Sequence, residues 1–100
     1  MTEQPSTLYA KLLGETAAIA WKELQPHFAK GALLWVDPAL DLVAVAEAFG
    51  LDDKAPIIGW MGAGQVEKLS DSRALALHEG TPDIWAVVVS PWILIQNRAG

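Results

Sequence analysis

Apolar residues recur at helical spacing from the start of the chain. Ser6 or Thr7 is placed to cap a first helix, with Leu8, Leu12 and Glu15 on one stripe and Tyr9, Leu13 and Ala17 beside it. Gly14 weakens this helix, and Ala17 to Ala20 either continue or break it. Trp21, Leu24 and Phe28 follow at i, i+3, i+7, and Pro26 requires that helix to begin close to Lys22. Gly31 stops it, so the N-terminal third reads as two helices or one kinked helix behind a disordered tip at residues 1–5.

The period then changes. Ala32 to Val36 is short, apolar and β-prone, and reads as a buried strand. Asp37 followed by Pro38 is a helix start, because the carboxylate accepts orphan amides and proline at the first position needs no donor. Leu42, Val45, Ala46 and Phe49 continue the helical spacing, and Gly50 supplies a left-handed stop. Asp52 or Asp53 caps a further helix with Pro56 in its first turn and Ile57, Trp60 and Met61 on one face. Gly59, Gly62 and Gly64 weaken it. Gln65 to Leu69 reads as a short strand, and Ser70 to Gly80 as a capped helix with Arg73 and His78 exposed. After the turn Thr81-Pro82-Asp83, the run Ile84 to Gln96 is the most β-prone of all. It is apolar on both faces and kinked at Ser90-Pro91.

This order predicts an α+β domain, winged-helix-like, with helices and a short antiparallel sheet. The chain has 100 residues, the size of one domain (1–100), and its 52% hydrophobic and 19% charged composition lies away from the disordered range. The longest apolar stretch, Ile84 to Ile95, is broken by proline and falls short of the ~20 residues of a membrane-spanning helix. Residues 1–11 lack the basic and apolar regions of a secretory signal, and there is no cysteine, so the expected location is cytoplasmic. A net charge of −5 repels phosphate backbones and anionic lipid, which makes nucleic-acid and membrane partners poor expectations.

Several segments together resemble a family of short bacterial proteins, domain of unknown function 2288. They are LLGETA (Leu12 to Ala17), Trp21 with Glu23-Leu24, Leu40-Asp41-Leu42-Val43 with Val45-Ala46, Asp52-Asp53, Trp60, and PWILIQ (Pro91 to Gln96). The resemblance spans nearly the whole chain. It implies a single-domain bacterial cytosolic protein and nothing about chemistry.

Candidate chemistry is sparse. His27 and His78 are far apart in sequence and read as surface or half-buried side chains rather than catalytic bases or metal ligands. The acidic group Asp41, Glu47, Asp52 and Asp53 reads as helix caps and a solvated face. The three glycines lie in or after a helix, the wrong context for a phosphate loop, and read as close packing or a turn. Read as a helix-turn-helix, the pair 40–64 has a second helix that offers only Lys54 toward DNA. No catalytic, cofactor-binding or metal residue is therefore expected. The expected function is a non-catalytic protein-interaction or assembly module. The alternatives are a DNA-binding regulator, disfavoured by charge, and a ligand-binding protein or enzyme with an unrecognised pocket.

The five tryptophans exceed what so small a core easily hides. Trp35, Trp85 and Trp92 in strands and Trp21 and Trp60 on helical stripes all read as core candidates, with at least one, Trp92 before the others, expected to reach an interface. Trp92, Ile93, Ile95 and Trp85 are the candidate interface, because Pro91 should put Trp92 to Ile95 on a sheet edge where no Lys or Glu interrupts the apolar run. A homodimer covering that edge, or another protein partner, is the expectation.

Overall fold

Strands that are apolar on both faces need two covers, and the computed structural model, which describes residues 7–99, supplies them. The expected disordered tip and Ser6 lie outside the described residues. The elements are α1 (Thr7–Glu15), β1 (Ala17–Ala18), α2 (Trp21–Ala29), β2 (Leu33–Val36), α3 (Leu42–Gly50), α4 (Lys54–Gly62), β3 (Val66–Lys68), α5 (Asp71–Glu79), β4 (Ile84–Val89) and β5 (Trp92–Asn97). The strands form one five-stranded sheet in the order β1-β4-β5-β2-β3. β5 runs parallel to β2 in register Leu34 with Leu94, and the other neighbours are antiparallel.

One face of the sheet carries Leu34, Val36, Val66, Val87 and Leu94 and packs against Leu12 of α1 and Leu42, Val43, Val45 and Ala46 of α3. The opposite face carries Leu33, Trp35, Ile84, Ala86 and Ile95 and packs against Leu24 of α2 and Ala74 and Leu77 of α5. All four residues of β2 are buried, as a strand between two helical layers must be. Each fully buried Leu, Ile or Val side chain stabilises the domain by about 1.5–3 kcal/mol relative to exposure.

The α+β class is as expected, but the sheet differs from the short antiparallel one. It is five-stranded and mixed, and β1 separates α1 from α2, while α5 stands before the closing hairpin as the capped segment 70–80 predicts. The run 84–97 is two strands rather than one kinked strand. It doubles back through Ser90-Pro91, whose peptide bond is cis, so that Val89 pairs with Trp92. The expectation that Trp92 to Ile95 occupies an edge is therefore corrected: β5 is the central strand, with β4 on one side and β2 on the other.

Three boundaries also shift. α3 starts five residues after Asp37, because Asp41 is the cap: its Oδ1 accepts from the Val43 and Ala44 amides at 3.0 and 3.3 Å. Asp37 instead accepts from the Ala39 amide at 2.8 Å and holds a turn. The left-handed stop after α3 is Asp52, at φ 54°, and not Gly50. Gly50 lies in the last turn, where a Cβ would come within 3.0 Å of the Leu8 side chain, so glycine there serves the approach of α1. Gly31, at φ 70°, does end α2 as expected.

Candidate functional site

A concavity forms where β1 stops short. The Thr16 hydroxyl donates to the Leu12 carbonyl at 2.7 Å and its amide to Leu13 at 3.3 Å, which ends α1 just before the strand. Ala17 and Ala18 then pair with Ala86 and Trp85, the Ile19 amide donates to the Ile84 carbonyl at 2.9 Å, and the chain leaves to begin α2. Outward-facing backbone groups alternate along an antiparallel strand. Since Ile84 turns its carbonyl toward β1, Ala86 and Val88 present theirs to the same edge, and the β1 ladder ends at Ala86. Val88 is left on an open edge with its side chain 56% exposed.

Val88 shares a sheet face with Ala86 and with its cross-strand partner Ile93, and these form an apolar floor. Leu24 of α2 closes the floor on one side, and Ala17, Ala18 and Ile19 close it on the other. Glu15, at the end of α1, and Glu23 and His27, one helical turn apart on α2, line the same groove, whose volume is about 450 Å³. Its wall holds two carboxylates and one imidazole, and no Lys, Arg, Ser, Thr or Cys. Without a hydroxyl or thiol, nucleophilic catalysis of the Ser–His or Cys–His kind has no attacking group there. Apolar walls beneath an acidic rim are suited to holding a chain or ligand that is apolar with a cationic neighbour.

The candidate interface residues are dispersed by the fold. Ile95 is fully buried, Ile93 is half-buried in the groove floor, and Trp92 and Trp85 are half-buried against the opposite face of the sheet. Trp92 lines a second notch of about 380 Å³ with Phe49 and Ile57, at the corner between α3 and α4. Three cations lie over indole rings: Arg73 over Trp35 at 4.5 Å, Arg98 over Trp85 at 4.9 Å and Lys68 over Trp92 at 5.9 Å. Arg73, expected exposed, is accordingly half-buried, and it also reaches Glu67 at 3.3 Å. His78 is exposed, 3.5 Å from Gln25, and His27 is the histidine that the fold brings to the groove.

The acidic group separates into local roles. Asp53 holds the cap position of α4 without a side-chain cap bond, and Asp52 lies 4.0 Å from Lys54. Asp41 accepts from the Tyr9 hydroxyl at 2.7 Å. Burial pushes the Asp41 carboxyl up, but the Tyr9 hydroxyl, the Ala44 and Val43 amides and the Arg98 guanidinium outweigh it and hold the group below the ordinary aspartate range. The same hydrogen bond raises the Tyr9 phenol. Gly64 makes the turn into β3 at φ 74°, whereas Gly59 and Gly62 face open space and are not close-packed. Among the described residues, no three His, Asp or Glu side chains come together as a metal cluster, and no helix is long and apolar enough to cross a membrane.

Sequence reasoning missed the groove residues Glu15, Ala18, Glu23 and Val88. The available signal was the uncharged run Val87 to Val89, which lacks the Lys or Glu that usually blunts an edge. It belonged to the first strand of the hairpin, not the second.

The comparisons bear on the whole chain. It is similar to PA1075 from Pseudomonas aeruginosa, solved by NMR in solution, with 58% identity over 100% of this chain and 93% of that one and a TM-score of 0.84. No curated protein matches. The family model described as Protein of unknown function (DUF2288) matches residues 7–97, and the chain belongs to that family.

Proposed function

We propose that this chain is a non-catalytic protein-interaction module whose docking surface is the groove between α2 and the open end of β4. The observation that carries the reading is Val88, an apolar side chain 56% exposed on a strand edge, above a floor of Ala86, Ile93 and Leu24. A polypeptide laid along this edge would cover both the apolar floor and the unpaired main-chain groups beside it. The groove supplies shape and charge but no hydroxyl or thiol nucleophile, and its apolar floor favours binding. The cytoplasmic setting expected from the cysteine-free sequence is part of this reading.

DNA binding fits less well. α4, the helix that would enter a groove, carries Lys54 beside Asp52, and Lys68, Arg73 and Arg98 lie over indoles. A second reading, a small amphipathic ligand in the same groove, is favoured by the volume of about 450 Å³, which lies in the range of small-molecule sites.

Selection of a phage-displayed dodecapeptide library on the protein, followed by amide-shift mapping of the selected peptides, tests the docking reading. Shifts concentrated at Ala17 to Ile19, Leu24, Val88 and Ile93, and lost in Ile93→Glu, support it. Peptides that map to another surface, or a selection that enriches none, overturn it.

A further inference from the structure

Resting on that docking reading, we infer that the groove takes an extended segment as an added strand on β4, one that alternates apolar residues with Lys or Arg. Two independent features lead there. The first is the edge itself. β1 occupies only the Ala17–Ala86 and Ala18–Trp85 positions, so the outward amide and carbonyl of Val88 are the next pair in the ladder and have no strand beside them. An incoming strand gains main-chain bonds at Val88 and places every second side chain over the floor formed by Ala86, Val88 and Ile93.

The second feature is the charge of the rim. Glu15 and Glu23 flank the floor, with His27 and no Lys or Arg lining the groove, in a chain of net charge −5. Side chains that alternate with the apolar ones point to the opposite sheet face, the side on which α1 ends at Glu15, while Glu23 and His27 stand on α2 beside the floor. In the field of these carboxylates, cations on the added strand are favoured and carboxylates repelled. The same rim argues against a second copy as the occupant. Two-fold pairing of β4 with its own copy would bring both sets of Glu15 and Glu23 toward one seam.

The test uses the whole chain and a synthetic hexapeptide of alternating lysine and valine, followed by amide shifts and titration calorimetry. N-methylation of one set of alternate peptide amides should weaken binding about tenfold or more while methylation of the other set changes little, because only one set faces β4. Val88→Pro removes the outward donor without touching the bonds β4 makes to β5, and should weaken binding by a similar factor. Glu15→Gln with Glu23→Gln should lower affinity about three- to tenfold and flatten its salt dependence, and a glutamate–valine hexapeptide should not bind.

Equal affinity of the two methylated peptides would overturn strand addition, whatever the fate of Val88→Pro. Equal affinity for the glutamate peptide would overturn the charge selection. Absence of binding by the lysine–valine peptide, while library peptides still map to the groove, would overturn this inference and leave the docking reading standing. A dimeric mass in light scattering, with line broadening confined to Val87 to Val89, would assign the edge to a second copy and overturn it as well.

Discussion

Replacing Gln96 with leucine isolates what one buried polar side chain contributes to this fold. Gln96 is 3% exposed on the central strand, and its Nε2 donates to the Leu40 carbonyl at 2.8 Å and the Asp37 carbonyl at 3.1 Å. Its Oε1 accepts from Arg98 Nε at 3.0 Å. The side chain thereby pins the turn that precedes α3 onto β5. In Gln96→Leu the Asp37 carbonyl keeps the Leu40 amide at 2.9 Å and loses little. The Leu40 carbonyl loses the donor that Gln96 supplies and bears most of the cost, about 1–3 kcal/mol for a group held away from water. The lost Arg98 bond lies near the surface and adds roughly 0.5 kcal/mol, partly offset by the apolar gain of leucine. The net destabilisation expected is about 2 kcal/mol, or a fall in Tm of roughly 8–16 °C for a domain of this size. Urea unfolding followed by tryptophan emission and far-UV circular dichroism measures it, with an unchanged m-value expected. Gln96→Glu should cost more, about 3–5 kcal/mol, because its carboxylate would face two carbonyls. A loss below roughly 0.5 kcal/mol for the leucine variant would refute the reasoning, since it would mean that water satisfies the turn without Gln96.

Further outcomes follow from the same structure. Tyr9→Phe removes a hydrogen bond to the Asp41 carboxylate, so the Asp41 titration should move up toward the ordinary aspartate value, read from its carboxyl carbon shift against pH. Because the folded-state value is depressed, the stability linked to Asp41 is present above the ordinary aspartate pKa and is lost as pH falls through the lower folded value; the phenylalanine variant should lose less of it on acidification. Phe49→Ala, about 3–5 kcal/mol if that ring were fully buried, should cost nearer 2 kcal/mol by urea unfolding, since Phe49 is half-buried beside the core. Binding to random duplex DNA at physiological salt should be no tighter than about 10⁻⁴ M by fluorescence anisotropy, and sub-micromolar, salt-sensitive binding would reinstate the regulator reading.

Helix identity was legible wherever apolar spacing and a cap coincided. Ser70 caps α5 through the Arg73 amide at 3.2 Å, and Leu42, Val45 and Ala46 form the buried stripe of α3 that their spacing predicts. Asp37-Pro38 misled because an aspartate that accepts from the amide two residues on makes a turn as readily as a cap, and the competing carboxylate, Asp41, lay four positions later. Strand neighbours were the larger loss. A run apolar on both faces reads as one kinked strand at an edge, whereas it is a hairpin with α1 and α3 covering one face and α2 and α5 the other. Nothing local in Trp92 to Asn97 says that the neighbour on the β2 side is parallel, because that pairing is set by residues near position 34. The groove was hidden for the same reason: Glu15, Glu23 and Val88 meet only after β1 pairs with β4.

The place of β5 in the sheet also has a consequence for biosynthesis. The strand at the centre, flanked by β4 and β2, is translated after the four strands it joins. Until Trp92 to Asn97 emerge from the ribosome, β2 has only β3 beside it, and the floor against which Leu24 and Leu42 pack is incomplete. Helices and the β2–β3 pair can form early, but sheet closure joins segments distant in sequence and waits for β5. Nascent chains arrested before residue 92 should therefore stay protease-sensitive however long they are held, and protection should arrive in one step with the final strand.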